Sequence, residues 1–600
     1  MQKTIRSFKN TNRKMQRGKS DLMETRNKKQ KKWWHDAVTY EVYVPSFCDA
    51  NGDGIGDLRG VTSKLEYLAQ LGIDCIWLTP IMKSPFADCG YDVSDYCSIN
   101  PVFGTMEDFD ELLRKTHEQG MKLILDVVFG HTSDKHPWFQ QAASSRQSPK
   151  HTYYVWKDPV NGGPPNNWYQ GCMCGPAWTY VKEVNQYYYH AFVKDQPQLN
   201  WANPEVQEEI YRVIRFWLDK GIDGFRLDAI NFLFCEDDFR DNPGEGRAQR
   251  RVVNLNQAGI HAIVQKMRSI ADEYGDIMMV GEVYPGSTDE GRLYYGNSNN
   301  ELTQAFNFTF LHTVKEYSTY KDEWGQLQQT ADFHREEISL ATKLMEMWRY
   351  NEQTFRALEL WPTVVLGNHD QPRISSVLEG LGEETYRDRL DRIAPYYTFT
   401  LKGSPFLYYG EELGMHSIMP DSIDKIRDVH GRYFYDHLVQ VDKMDPQEAL
   451  KKTGNVARDH CRQAMAWDAT QNGGFSSGKE LWAPLPPDWQ TNNVKRQLED
   501  PNSLLALYRQ LMQLRRAKEA LRGGDYIWPE SRKDCLLFAR RADNDYAVVA
   551  INVSQRRLVI DLQAEGLTGP LFAHRVLQST GCELRENTLT IEPFACAILE

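Results

Sequence analysis

Short apolar runs recur along the chain, each bounded by turn residues and separated by stretches whose apolar positions fall at helical spacing. In order they are Thr39–Phe47, Cys75–Ile81, Leu123–Val128, Gly224–Ile230, Ile277–Val280, a weaker Phe306–Phe310, Thr363–Leu366 and Ser404–Gly410. Runs this short and this rich in Val, Ile, Leu and Tyr predict buried strands, and the helical stretches between them predict crossover helices. The pattern from Glu208 to Asp219, closed by Gly221 just before the Gly224 run, shows the repeat: helix, tight turn, strand. Eight such units predict an α/β fold, a (β/α)8 TIM barrel.

Several of these runs end in acid or imidazole. The third passes through Asp126 towards His131; the fourth delivers Arg226 and Asp228; the fifth runs into Glu282; the seventh runs into His369 and Asp370. A lone Arg-x-Asp at a strand end is more often a structural ion pair than a reactive group. Acids from several separate strands are another matter, because a barrel gathers its strand C-terminal ends into one site. Asp228 held ionised by Arg226 is then a candidate nucleophile. The Asp88–Tyr96 loop after the second strand adds Asp88 and Tyr91, a ring to stack on a sugar face and a carboxylate for its hydroxyls.

Where the repeat lapses, inserted units are expected. The Pro-, Gly-, Asn- and Trp-rich stretch 132–199 is too long for an ordinary loop and reads as an inserted domain. A polar insertion covers about 416–500 after the eighth strand, and Leu504, Leu507, Tyr508, Leu511 and Leu514 mark a last barrel helix. The catalytic barrel is assigned to 33–131 and 200–524. Residues 525–600 change to alternating strands (Cys535–Ala539, Tyr546–Asn552, Arg557–Leu562, Thr588–Ile591), which predicts a C-terminal antiparallel β-sandwich.

Composition narrows the partners. Residues 1–32 carry twelve Lys and Arg against Asp21 and Glu24 and are expected to be a solvated, disordered extension. The body is therefore more acidic than the net charge of −12 implies, which argues against nucleic acid as a substrate. No apolar run reaches the length of a signal peptide or a membrane span, and eleven scattered cysteines suit reduced thiols, so a cytoplasmic protein is expected. Cys172-Met-Cys174 is too short and isolated for zinc. Nothing in the pattern specifies an oligomer. In Asp49-Ala-Asn51-Gly-Asp53-Gly-Ile55-Gly-Asp57, alternating oxygens and glycines predict a structural Ca2+ loop with Asp49, Asn51, Asp53 and Asp57 as side-chain ligands and the Ile55 carbonyl beside them. It is not an EF-hand: Gly60 stands where the bidentate Glu belongs.

Side by side, Asp126–His131, Gly224–Ile230, Gly281–Tyr284 and Asn368–Asp370 resemble the four signature regions of glycoside hydrolase family 13, the α-amylase family, over essentially Trp33 to Glu600. Gln196–Asn200, Gly90-Tyr91-Asp92, Pro164–Trp168 and Gly403–Gly410 resemble its α-glucosidase and oligo-1,6-glucosidase branch. The resemblance implies Asp228 as nucleophile, Glu282 as acid/base and Asp370 as the transition-state acid. It implies His131, His369 and Arg373 beside the substrate, and Asp88 paired with Arg462 to close the pocket beyond the terminal glucose. Ala229 after the nucleophile goes with α-1,4 linkages, where Val goes with α-1,6. Gly130, Gln198 and Gln463-Ala464 depart from the family's usual Asn, Asp and Thr-Pro. The implied activity is exo-acting α-glucosidase on maltose-like oligosaccharides. A sucrose isomerase or glucosyltransferase of the same fold is the alternative, and a non-catalytic transporter-associated ectodomain a distant one. Arg389-Leu-Asp-Arg392 reads as a solvated helix face rather than an isomerase motif.

Overall fold

The computed structural model describes residues 31–171, 175–233, 235, 238–284, 286–319, 338–454, 456–529, 534–567 and 575–600. Most of the basic extension and Cys172-Met-Cys174 lie outside the described residues.

Eight parallel strands form the barrel: β1 (Thr39–Val42), β2 (Cys75–Leu78), β3 (Lys122–Val127), β4 (Gly224–Leu227), β5 (Met278–Gly281), β6 (Gln304–Ala305), β7 (Thr363–Val365) and β8 (Ser404–Tyr408). Hydrogen bonding runs β6-β5-β4-β3-β2-β1-β8-β7. Between β7 and β6 the ring is joined by the Thr363 hydroxyl, which donates to the Ala305 carbonyl at 2.9 Å. The sequence-derived TIM barrel is thus what the chain forms.

Two runs end differently from their apolar pattern. The first strand stops at Val42, and Val44–Phe47 turns into a short helix with Pro45 in its first turn. The weak Phe306–Phe310 run is not the sixth strand, because a helix starts at Thr309 and the strand is Gln304–Ala305 upstream of it. Gln304 was hidden by its polarity: fully buried inside the barrel, its amide donates to Ser404 Oγ at 2.6 Å.

Register sets the height of the acids. Asp126, Arg226 and Val280 are paired across β3, β4 and β5, and Leu227 pairs with Gly281, so Asp228 and Glu282 each leave their strand one residue later at the same level. Gly224 permits this close approach, since a Cβ there would stand 2.4 Å from the Met278 carbonyl oxygen.

Between β3 and β4 the chain builds a small antiparallel sheet of 156–157, 178–181 and 186–189 around Trp168, Trp178 and Tyr189. After β8 two helices, Val429–Gln440 and Pro446–Gly454, pack on each other. The C-terminal strands 525–527, 536–542, 545–551, 558–561, 576–585 and 588–599 form one antiparallel network, in which the long last strand pairs with 558–561 at its start and 545–551 at its end. An apolar cluster of its own fills this C-terminal network, among its members Leu537, Val548, Ile560 and Leu589.

Candidate active site

Arg226 is completely buried and organises the strand ends. Its Nη1 donates to Asp126 Oδ1 at 2.9 Å and to Asp228 Oδ1 at 2.7 Å, and its Nη2 donates to Glu282 Oε2 at 2.5 Å. Ala229 follows with φ 39° and ψ 45°, a left-handed conformation that costs an L-residue about 1–2 kcal/mol. The turn reverses the chain so that Ile230 N–H reaches the Glu282 carbonyl and Ala229 N–H faces Glu282 Oε2 at 3.5 Å. Strain of this kind at a carboxylate is a mark of a working site.

Burial pushes the Asp228 and Glu282 carboxyls up to about 7, against the pull of Arg226; Asp126 and Asp370 add to the rise at Asp228, and Asp228 and Asp370 to that at Glu282. A coupled pair in this range holds one proton near neutrality, one partner ionised and the other acid. Asp370 is different. Burial opposes its charge, but the guanidiniums of Arg458, Arg462 and Arg226 outweigh burial and hold it well below the ordinary carboxylate range.

These three acids line one pocket of about 1170 Å3, counted out to its mouth, together with Asp88, Tyr91 and His131. Tyr91 stacks on His369 and donates to Asp126 Oδ2 at 2.9 Å. His131 Nε2 lies 3.0 Å from the Tyr91 carbonyl oxygen, and burial drives its pKa down to about 4, so the ring is neutral. Phe192, Phe232 and Tyr284 form the apolar wall, and His312 and Lys315, on the helix Thr309–Tyr317, stand at the lining as well.

The partner of Asp88 is not Arg462. Arg458 Nη2 donates to Asp88 Oδ1 and to Asp428 Oδ1, both at 2.5 Å, and its Nη1 donates to Asp370 Oδ1 at 3.2 Å. Arg462 donates instead to Asp370 Oδ1 at 2.8 Å and to the His369 carbonyl at 2.8 Å. Both sit on one 310 turn and its end, four residues apart, and the turn's direction decides which reaches the floor. Arg373 is also displaced from the expected role: buried, its guanidinium lies over Tyr408 and Tyr409 and donates to the Tyr409 carbonyl, away from the pocket lining. His369 is fully buried behind Tyr91. Sequence reasoning missed Arg458, Asp428, Gln196 as a donor to Asp88 Oδ2 at 2.9 Å, and Glu41, which lies 2.5 Å from His369 Nδ1. The signal for Glu41 was a lone acid inside an apolar strand.

In the 49–57 loop, Asp49 accepts from Gly52 and Gly54 N–H, Asn51 from Asp53 N–H, and Asp53 from Ile55 N–H. Asp57 caps the helix Leu58–Ser63 and also accepts from Ala50 and Asn51 N–H. Among the described residues no three His, Cys, Asp or Glu side chains form a metal-ligating group. A cation here must therefore draw on the Asn51 amide oxygen and the Ile55 carbonyl as well as carboxylates, a hard all-oxygen set of the kind Ca2+ takes.

A parallel barrel with acids from separate strand ends in one pocket is an architecture that glycoside hydrolases use. Residues 41–524 match the alpha amylase catalytic domain, and the chain belongs to that family, glycoside hydrolase family 13. It is 38% identical over 538 residues to an oligo-1,6-glucosidase of Parageobacillus thermoglucosidasius, covering 88% of this chain and 92% of the relative. Among solved structures it resembles an isomaltulose synthase variant of Erwinia rhapontici NX5 in complex with sucrose (TM-score 0.83, 32% identity, 95% of this chain and 99% of that one). It also resembles a trehalose-6-phosphate hydrolase variant of Bacillus licheniformis (TM-score 0.82, 32% identity, 95% and 99%).

Proposed function

We propose that the protein is an exo-acting, retaining α-glucosidase that releases glucose from the non-reducing end of short maltose-like oligosaccharides. The observation that carries this is one guanidinium, Arg226, bonded to both Asp228 and Glu282 beside a pocket whose far side is tied by Asp88, Arg458 and Asp428. A tied floor leaves room for a chain end and none for a chain passing through.

Asp228 as carboxylate attacks the anomeric carbon while protonated Glu282 gives its proton to the departing glycosidic oxygen, leaving a covalent β-glucosyl ester. Glu282, now a carboxylate, takes a proton from water, which attacks the same carbon and frees Asp228. Asp370, held ionised, grips ring hydroxyls as the sugar flattens towards the oxocarbenium ion. Asp228→Ala is expected to abolish release from an aryl α-glucoside in a folded protein; wild-type turnover in that variant would sink the assignment.

For linkage, the small Ala229 on the pocket lining supports α-1,4, whereas the relatives' oligo-1,6-glucosidase names favour α-1,6 as the second reading. The likeness to a sucrose-bound isomaltulose synthase supports isomerisation as a third. Products from maltose, isomaltose, sucrose and trehalose discriminate them. Faster turnover of isomaltose than maltose rejects the α-1,4 preference, and isomaltulose or trehalulose from sucrose rejects simple hydrolysis. Ca2+ in the 49–57 loop is proposed as structural. A cytoplasmic setting is proposed because Cys48, Cys75, Cys89, Cys97, Cys461, Cys582 and Cys596 are thiols outside any disulfide.

A further inference from the structure

The hydrogen bonds around His369 do not balance for a neutral histidine and a tyrosine between two carboxylates. Glu41 Oε1 lies 2.5 Å from His369 Nδ1, His369 Nε2 lies 2.6 Å from the Tyr91 hydroxyl, and that hydroxyl lies 2.9 Å from Asp126 Oδ2. Three bonds in series need three protons, of which the imidazole supplies one and the phenol one. The third sits on Glu41, on the imidazole as a cation, or on Asp126.

Asp126 is the wrong place. Its other oxygen accepts from Arg226 at 2.9 Å, and the Trp77 indole N–H approaches Oδ2 at 3.3 Å, so its neighbours are donors that favour a carboxylate. The imidazolium is disfavoured as well: His369 is fully buried, and Arg226, Arg458 and Arg462 all oppose a further cation, which outweighs the pull of Asp370, whose Oδ2 lies 3.3 Å from Nε2. Glu41 is equally buried and faces Asp370 and Asp126, whose charges oppose its ionisation; Arg226 and the backbone N–H of His369, 3.4 Å from Oε1, favour ionisation but do not prevail over burial. Tyr408 and Cys461 also face this carboxyl. The proton therefore rests where no cation is desolvated.

We propose that Glu41 is a positioning residue: a neutral carboxylic acid donating to His369 Nδ1, which fixes the imidazole as the tautomer with its proton on Nε2. That proton points to Tyr91, whose hydroxyl is then directed to Asp126, and Asp126 steadies the Arg226 that bridges Asp228 and Glu282. The wall behind Asp370 is thereby kept uncharged, so the Asp370 charge is left for the substrate. The catalytic consequence rests on the glycosidase reading; the protonation state does not.

Two measurements on the full-length protein test it. In 15N-histidine spectra, with His369 assigned through His369→Asn, the His369 ring is expected to be neutral with the proton on Nε2 at pH 7. In infrared spectra the wild type is expected to show a protonated-carboxyl carbonyl band that Glu41→Gln lacks. Kinetics then follow: Glu41→Leu, which fills the space without a donor, is expected to lower kcat about tenfold with little change in KM, and Glu41→Gln, whose amide can donate to Nδ1, to restore kcat to within about threefold. A His369 imidazolium, or identical infrared spectra for wild type and Glu41→Gln, overturns the proposal whatever the activity. So does Glu41→Gln losing as much kcat as a folded Glu41→Leu.

Discussion

Arg226 carries one positive charge and touches three carboxylates, and that imbalance decides the chemistry at the residue scale. With Asp228 and Glu282 both near 7, the pair gains its first charge on the acid side of neutrality and loses its last proton on the alkaline side. The kcat/KM profile is expected to be a bell with its maximum near neutral pH, Asp370 contributing no limb because it stays ionised throughout. A single alkaline plateau is the contrary result. The same shifts bear on stability. A carboxyl raised in the fold contributes stability present below its unfolded pKa and lost as pH rises through about 7. Asp228→Asn removes that loss, so its melting temperature by calorimetry should exceed the wild type's at pH 8 by more than at pH 5. Arg458 makes the complementary case. Lys keeps the charge but cannot bridge Asp88, Asp428 and Asp370, so Arg458→Lys is expected to raise KM for maltose about tenfold with a smaller change in kcat. An unchanged KM separates Arg458 from the substrate.

At the scale of elements, strands β3, β4, β5 and β7 were readable because each apolar run ends in the acid it delivers. The same logic failed at β6, where a buried Gln304 replaces an apolar residue and the louder Phe306–Phe310 run lies outside the strand. It failed again between Arg458 and Arg462, since spacing in a 310 turn does not say which guanidinium faces the floor. Glu41 showed only as a lone acid in an apolar strand, because alternation reports which strand positions are buried, not what a buried acid faces across the barrel. The 49–57 sequence reads as a Ca2+ loop; the structure shows a series of Asx turns there, in which backbone N–H groups donate to the Asp49, Asn51 and Asp53 side chains. Its oxygens also serve the junction with the late insertion, because Ser476 donates to Asp49 Oδ2 at 2.5 Å and Trp482 N–H to the Gly54 carbonyl. If Ca2+ binds there, EDTA should lower the melting temperature while kcat at 25 °C stays close to that of the untreated enzyme, and added Ca2+ should restore it. A melting curve insensitive to chelator removes the ion from the structure.

For the whole molecule, the C-terminal domain is wired into the barrel rather than appended to it. Phe538, Val549, Ile551, Phe594 and Ile598 of its sheet belong to the same apolar cluster as the barrel core. Two fully buried arginines stand at the joint, Arg515 bracing the barrel side of it and Arg540 crossing from the C-terminal sheet. Arg515 donates to the carbonyls of Phe399, Leu401, Leu521 and Gly403, and Arg540 donates to those of Gly524 and Thr400. Burial lowers the pKa of both, a cost accepted because the helix end at Thr400 and the loop to β8 expose carbonyls with no backbone partner nearby. No sequence pattern marks such residues, since arginine by composition belongs at the surface. Arg540→Met keeps volume and apolar stem but strands the Thr400 and Gly524 carbonyls, each worth about 1–3 kcal/mol when buried and unpaired. The variant should therefore unfold at lower temperature by calorimetry, and barrel and C-terminal sheet should unfold in one transition because they share a core. Two separated transitions, with the barrel unaffected, would show instead that the sheet is an independent module and the arginines only its fastening.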